Sequence, residues 1–346
     1  MSSKGTVLIT GINGYIAGNT AKEFLNAGYS VRGTARSLAR TKELEAALKP
    51  YLDAGQLTIV EVPDITAPGA FDGAVRDVRA ILHLAQPVSL SFTDPEPVIR
   101  AAREGTRSVL ASALAHAGPS LRVVALAASI ASVLGGKAPG ALYTEADWNP
   151  VDADALPAGA PGRLIYAASK TAMERAFWGF RDAAAPPFAM AAVNPAFVAG
   201  APAALPADPR RVSESARVVL DVLAGGDVDL QAGDYALRAA VHVGDVARLF
   251  RWVVENAAAA DGQRFIAANG QAGNGQAIAD ILREAYPERR GVIKEGEPGK
   301  GYAPGFAFTA DGINFDNSKA TKATGIKWIP YKETILETAK AFEKYL

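Results

Sequence analysis

Short apolar runs alternate with longer amphipathic stretches along the first 195 residues, and that alternation predicts βαβ units built around a parallel sheet. The strand candidates are Thr6–Thr10, Ser30–Thr34, Leu57–Val62, Ala80–Leu84 and Arg122–Ala127, with a sixth at Ala189–Val193. They are rich in Val, Ile and Leu with little polar alternation, as strands covered on both faces require. Helices are expected over 14–27, 38–49, 69–77 and 95–117, and over 163–184 ahead of the sixth strand. The result is an α/β, doubly wound parallel sheet, which binds its ligands at the carboxyl ends of its strands. Past Pro195 the pattern changes. Three prolines between 196 and 209 forbid a long helix and predict a loop. A helix at 211–224, a strand at Ala239–Val243 rejoining the sheet, a helix at Asp245–Asn256 and a strand near Arg264–Ala268 follow. Residues 287–312 read as loop, and helices near 317–324 and 332–345 close the chain.

A chain of 346 residues buries a large core as one big domain or as a domain with a smaller lobe. Its 36 basic and 36 acidic residues balance, so no charge excess points to nucleic acid or an anionic membrane. It contains no cysteine, which excludes disulfides, thiolate metal sites and a cysteine nucleophile. That absence agrees with a reducing compartment, and a cytoplasmic location is the expectation. No apolar run reaches the roughly 20 residues a spanning helix needs. The first residues run directly into a strand without a signal-peptide layout. The three histidines, His83, His116 and His242, stand far apart without ligand spacing, so structural roles are expected of them and no metal site.

Chemistry first enters at Thr10-Gly-Ile-Asn-Gly-Tyr-Ile-Ala17, between the first strand and the first helix. That is the setting a dinucleotide fingerprint requires. Gly11 permits the tight turn, Gly14 lets the backbone approach a pyrophosphate, and Ala17 fills the third small position. Asn13, Tyr15 and Ile16 complete the turn, with the pyrophosphate expected on the free amides of the helix N-terminus. The second strand ends Val31-Arg-Gly-Thr-Ala-Arg36 without the acid that accepts ribose hydroxyls in enzymes preferring NAD. Arg36 and Arg40 can instead meet a 2′-phosphate with charge-assisted hydrogen bonds, so NADPH/NADP+ is the expected cofactor. Asp64, after the third strand, suits either the adenine amino group or a helix N-cap.

Tyr166 and Lys170 lie four residues apart and project from one helical face. A free phenol titrates near ~10, and a neighbouring ammonium is expected to lower that value and make the pair an acid/base couple. Of the ten tyrosines, only Tyr166 has this spacing.

These strings together resemble the extended short-chain dehydrogenase/reductases over nearly the whole chain. The similarity is to the branch of dihydroflavonol reductases, cinnamoyl-CoA reductases and NADPH-dependent microbial aldehyde and ketone reductases. Besides Thr10–Ala17, Val31–Arg36 and Tyr166–Lys170 with Thr171 and Glu174, it rests on four further strings. These are His83-Leu-Ala-Gln-Pro87, Gly105-Thr-Arg-Ser-Val-Leu110, Asn194-Pro195 and Val241-His-Val-Gly-Asp245. The resemblance implies a Rossmann domain over 1–195, rejoined by 236–270, with a smaller C-terminal substrate lobe from 196–235 and 271–346. It implies that Tyr166 donates a proton while Lys170 tunes it and holds the nicotinamide ribose. The family's Thr-Ser-Ser run reads Ala127-Ala128-Ser129 here, so Ser129 is expected to orient the substrate carbonyl, with Ser132 as the alternative. Ala102 stands where many members carry an asparagine, which puts a water-mediated proton relay in doubt. Further cofactor contacts are expected from Ile65, Ala85, Pro87, Pro195 and Val198.

The implied activity is NADPH-dependent reduction of an aldehyde or ketone. Val88, Phe92, Ile130 and Phe197 are expected on the substrate side, where an apolar wall suits an apolar or aromatic carbonyl compound. A nucleotide-sugar epimerase or dehydratase is the first alternative, and a non-catalytic NADP-binding redox sensor the second. Either a monomer or a homodimer is compatible with the chain.

Overall fold

The computed structural model describes residues 4–228 and 239–346. Positions 1–3 and 229–238, which contribute to both halves of the expected division, lie outside the described residues. In chain order the first elements are β1 (Thr6–Thr10), α1 (Tyr15–Asn26), β2 (Ser30–Ala35), α2 (Lys42–Ala47), α3 (Lys49–Asp53), β3 (Leu57–Glu61) and β4 (Ala80–His83). Next come α4 (Pro95–His116), β5 (Val123–Ala127), β6 (Leu142–Tyr143), α5 (Gly162–Ala184), β7 (Ala189–Pro195) and β8 (Phe197–Ala199). The remainder holds α6 (Glu214–Leu223), β9 (Ala240–His242), α7 (Val243–Glu255), α8 (Ala257–Ala260), β10 (Gln263–Ala267) and α9 (Gly275–Ala285). The chain closes with β11 (Asn314–Phe315), α10 (Ser318–Thr324) and α11 (Tyr331–Phe342).

Seven parallel strands form one sheet in the order β10-β7-β5-β4-β1-β2-β3. The winding reverses between β1 and β4, and a crevice opens where their carboxyl ends diverge. Period-2 geometry sends Val7 and Ile9 of β1 to one face and Leu8 to the other, and both faces are covered. α1 and α7 pack together on the first face, and α4 lies along α5 on the second. A separate apolar cluster joins α6, α9 and α11 beneath β8 and β9, with Phe197, Leu223, Ile281 and Tyr331 at its centre.

Five expectations are corrected. Residues 69–77 form turns, because Gly69 and Asp77 both adopt positive φ, at 74° and 58°. The stretch 38–49 is broken into a 3-10 turn over Leu38–Arg40 and the helix α2, and α3 begins at its end. The 239–243 strand does not rejoin the main sheet: β9 pairs in parallel with β8, in a sheet of two strands. The loop after Pro195 accordingly begins with a strand. α9, β6 and β11 arise where no element was expected. Among the described residues, no helix is long and apolar enough to cross a membrane.

Candidate active site

A cavity of about 1170 Å³ runs along the carboxyl edge of the sheet, from the turn after β1 to the loops after β5 and β7. At one end Gly11, Asn13, Gly14, Tyr15, Ile16 and Ala17 form its floor. Gly11 has φ +67°, and a Cβ there would stand 3.0 Å from Ala85 Cα. A side chain at that point would press the turn against the loop after β4. No side chain caps the N-terminus of α1, whose N-cap is Gly14, so its first amides are directed at the cavity with the positive end of the helix dipole. Gly33 of β2 is equally constrained, because a Cβ there would fall 2.8 Å from Ile12 Cβ. The backbone cradle thus fits a pyrophosphate.

Arg36 and Arg40 line the same end, both exposed, and among the described residues neither forms an ion pair. Ile65, Ala85, Pro87, Pro195 and Val198 also line the cavity. Asp64 does not. Its Oδ1 accepts hydrogen bonds from Thr66 N (2.8 Å) and Thr66 Oγ1 (2.7 Å), which hold its carboxyl below the usual range. It caps a turn and neither faces the cavity nor starts a helix.

Thr10 Oγ1 fixes the loop after β4 by accepting from Leu84 N at 3.0 Å and Ala85 N at 2.9 Å. Both its lone pairs are then used, so its proton goes to His83 Nδ1, 2.9 Å away. Burial, together with the nearby Lys170 charge, pulls His83 down to about 3 and keeps it neutral. His116 lies 3.3 Å from Asp72, and His242 accepts from Gly244 N at the start of α7. Among the described residues no group of His, Asp or Glu is arranged to hold a metal ion.

The polar centre of the cavity comes from α5 and the end of β5. Tyr166 donates to Ser129 Oγ over 3.4 Å, and Ala131 N also donates to that oxygen at 3.1 Å. With its acceptor positions filled, the Ser129 hydroxyl proton is left to point into the cavity. Lys170, buried one helical turn on, donates from Nζ to Ala127 O at 3.0 Å. Ser132 faces away, toward Glu174 and Asn194 beneath the sheet edge, so the structure brings Ser129 and not Ser132 to the phenol. Ala102 is buried in the apolar core on the α4 side.

The expected tuning of the phenol differs from what is found. Burial raises Tyr166 above its ordinary value, the Ser129 hydrogen bond lowers it, and the Glu214 charge raises it. Lys170 is directed at the Ala127 carbonyl and is itself pulled down to about 8 by burial, with Glu174 opposing that shift. Tyr166 therefore holds its proton at neutral pH.

Val88, Ile130 and Phe197 line the far end of the cavity. Phe92 does not, because it packs, as Leu156 does, against the buried cluster of Val98, Ala160 and Ile165. Sequence reasoning missed the clasps that draw the loop after β8 across the opening. Glu43 accepts from Arg211 at 2.7 Å, and Tyr15 OH donates to Gly200 O at 2.7 Å. Glu214 accepts from Ser89 Oγ and Leu90 N, both at 2.8 Å. None of these pairs is near in sequence, and the only advance sign was the proline-rich loop itself.

A strand, a glycine turn and an uncapped helix at the switch point, joined to a Tyr–Lys helix beside β5, agree with a family profile matching residues 7–268. The chain belongs to the NAD dependent epimerase/dehydratase family. Within it, the chain is 29% identical to the NADPH-dependent methylglyoxal reductase of Saccharomyces cerevisiae, across 98% of each chain. A ketoreductase of Aspergillus niger is 30% identical over 92% of each. The crystal structure of yeast methylglyoxal/isovaleraldehyde reductase complexed with NADPH superposes with a TM-score of 0.85, at 27% identity and 98% coverage of both chains.

Proposed function

We propose that this family member is an NADPH-dependent reductase of aldehydes and ketones, with Ser129, Tyr166 and Lys170 as its catalytic residues. The observation that carries this reading is the convergence of the Tyr166 and Ser129 hydroxyls at the edge of a cavity with a phosphate-binding turn at its other end. The reductase names of the relatives support it as well. Gly11, Asn13, Gly14, Tyr15, Ile16 and Ala17 would hold the pyrophosphate, and Arg36 and Arg40 the 2′-phosphate. Ile65, Ala85, Pro87, Pro195 and Val198 would pack against the remainder of the dinucleotide. Bound there, NADPH supplies the hydride that reduces the carbonyl carbon.

The residues of the chain manage the oxygen. Ser129 donates to the substrate carbonyl and stabilises negative charge as it develops there. Tyr166, kept protonated by burial, delivers its proton to the same oxygen. Lys170 places an ammonium one helical turn away, where it would hold the nicotinamide ribose hydroxyls beside the phenol. Val88, Ile130 and Phe197 make an apolar wall suited to alkyl or aromatic substituents. Arg163 and Asn149 also line the cavity, so it is the reductase names of the relatives, more than this wall, that count against the epimerase reading. The redox-sensor reading leaves the Tyr–Lys couple without a use.

The test is a panel of aromatic aldehydes and ketoesters monitored by NADPH absorbance. Oxidation of NADPH with several of them, and little with NADH, is expected. No turnover with any carbonyl would overturn the assignment.

A further inference from the structure

Beneath Ser129, on the side away from the cavity, lies a polar cluster that the chemistry above does not use. Its centre is Glu174, fully buried on α5. Tyr166, Lys170 and Glu174 follow one another at intervals of four and share one helical face. Arg264 of β10, also buried, grips this carboxylate with Nε at 2.7 Å and a second nitrogen at 3.1 Å. Asn194 Nδ2 donates to it at 2.9 Å, and Ser132 Oγ is in close contact with it.

The cluster reaches the active site through a backbone oxygen. The Ser129 carbonyl is 2.7 Å from Ser132 Oγ and accepts from Asn194 Nδ2 at 3.2 Å. The Ser132 hydroxyl has one proton, which can go to Glu174 or to the Ser129 carbonyl. Arg264 extends the same hold to the cavity wall. One of its nitrogens donates to Glu145 O (2.7 Å) and Asp147 O (2.6 Å), and its guanidinium lies 4.0 Å from the Trp148 ring. Asn149, next in the chain and part of the cavity lining, donates to Ala131 O at 2.9 Å.

A buried ion pair is a poor device for stability, because desolvating both charges consumes most of their attraction. What it does well is fix geometry. We propose that Glu174 and Arg264 are positioning residues for the reduction, holding the Ser129 backbone, and with it the Ser129 hydroxyl, at the distance that Tyr166 and the substrate oxygen require. This rests on the reductase reading. The Glu174 charge has a second output, since it favours the Lys170 ammonium. The other groups facing Lys170 are His83 on β4, held neutral, and the Ala127 carbonyl on β5.

The test is a double-mutant cycle of Glu174→Gln with Ser129→Ala, with NADPH affinity measured by fluorescence titration. Glu174→Gln keeps the shape of the side chain and removes its charge. It should lower kcat about 10- to 100-fold, the scale of misplacing a reacting group by about 1 Å, with KM for NADPH little changed. Assayed at about pH 6, where Lys170 keeps its charge in both backgrounds, the same substitution in Ser129→Ala should cost less than about 2-fold, because the group it positions is gone. The alkaline limb of the pH profile should also move to lower pH. Equal losses in both backgrounds, with an unmoved limb, would assign Glu174 to structure alone and overturn the proposal. Should Glu174→Gln not fold, Ser132→Ala breaks the hydroxyl link while sparing the ion pair. It should show the same non-additivity with Ser129→Ala, and additive losses there would be equally fatal. A wild type active on carbonyls with a failed cycle refutes only the positioning role, whereas an inactive wild type refutes the reductase reading and this inference with it.

Discussion

Replacing Arg36 and Arg40 with alanine should convert a cofactor preference into near indifference. Both guanidiniums line the cavity end nearest the glycine turn, both are exposed, and among the described residues neither is engaged in an ion pair. Each is therefore free to take a phosphate without first breaking a bond. A charge-assisted hydrogen bond is worth about 1.5–3 kcal/mol, and exposure to water places these two at the lower end. At about 1.4 kcal/mol per tenfold, each arginine accounts for about a tenfold share of NADPH affinity and the pair for about 100-fold. NADH, which lacks the 2′-phosphate, should bind the double variant as it binds the wild type. Calorimetric titration of both cofactors, repeated at higher salt, measures the two affinities directly, and the NADPH preference should also shrink in wild type as salt rises. Equal weakening of NADPH and NADH, or an unchanged NADPH affinity, would refute the assignment of these arginines to the 2′-phosphate.

Three further outcomes follow from the same geometry. Reduction should decline as pH rises through about 8, because the Lys170 ammonium is needed and burial has pulled it down to that value. A profile flat to pH 10 would contradict this. Gly33→Ala should lower stability by about 1–3 kcal/mol, since its Cβ would overlap Ile12 in the glycine turn, and a calorimetric Tm unchanged from wild type would contradict the packing. His83 is depressed to about 3 from an ordinary value near 6.5, so the unfolded chain binds its proton more readily. Its stabilising contribution is complete above about pH 6.5 and lost as pH falls toward 3. Replacing His83 with Gln should flatten that part of a pH–denaturation series.

The parts of this molecule legible in its sequence are those set by local periodicity. Strands such as Val123–Ala127 are buried on both faces, so an uninterrupted apolar run marks them. The helix bearing Tyr166 and Lys170 announces itself through a four-residue interval that carries both packing and chemistry. Loops gave less. Asp64 and Phe92 sit on loops as expected, but a side-chain hydrogen bond to Thr66 turns the first aside and a small apolar cluster takes the second. The expected 69–77 helix failed on backbone conformations that composition does not reveal. Glu43–Arg211 and Glu174–Arg264 span 168 and 90 residues of sequence, so only the folded chain brings each pair together. The depressed Lys170 is likewise a product of burial, which its spacing from Tyr166 does not foretell.

The central claim is that the Tyr166 hydroxyl supplies the proton for carbonyl reduction. Its most direct test compares single-turnover NADPH oxidation by wild type and Tyr166→Phe, with the carbonyl substrate saturating and NADPH binding measured on the same samples. The variant should bind NADPH as wild type does and react about 10²- to 10⁴-fold more slowly, the usual contribution of a positioned proton donor. Full-speed oxidation of NADPH by Tyr166→Phe would contradict the account.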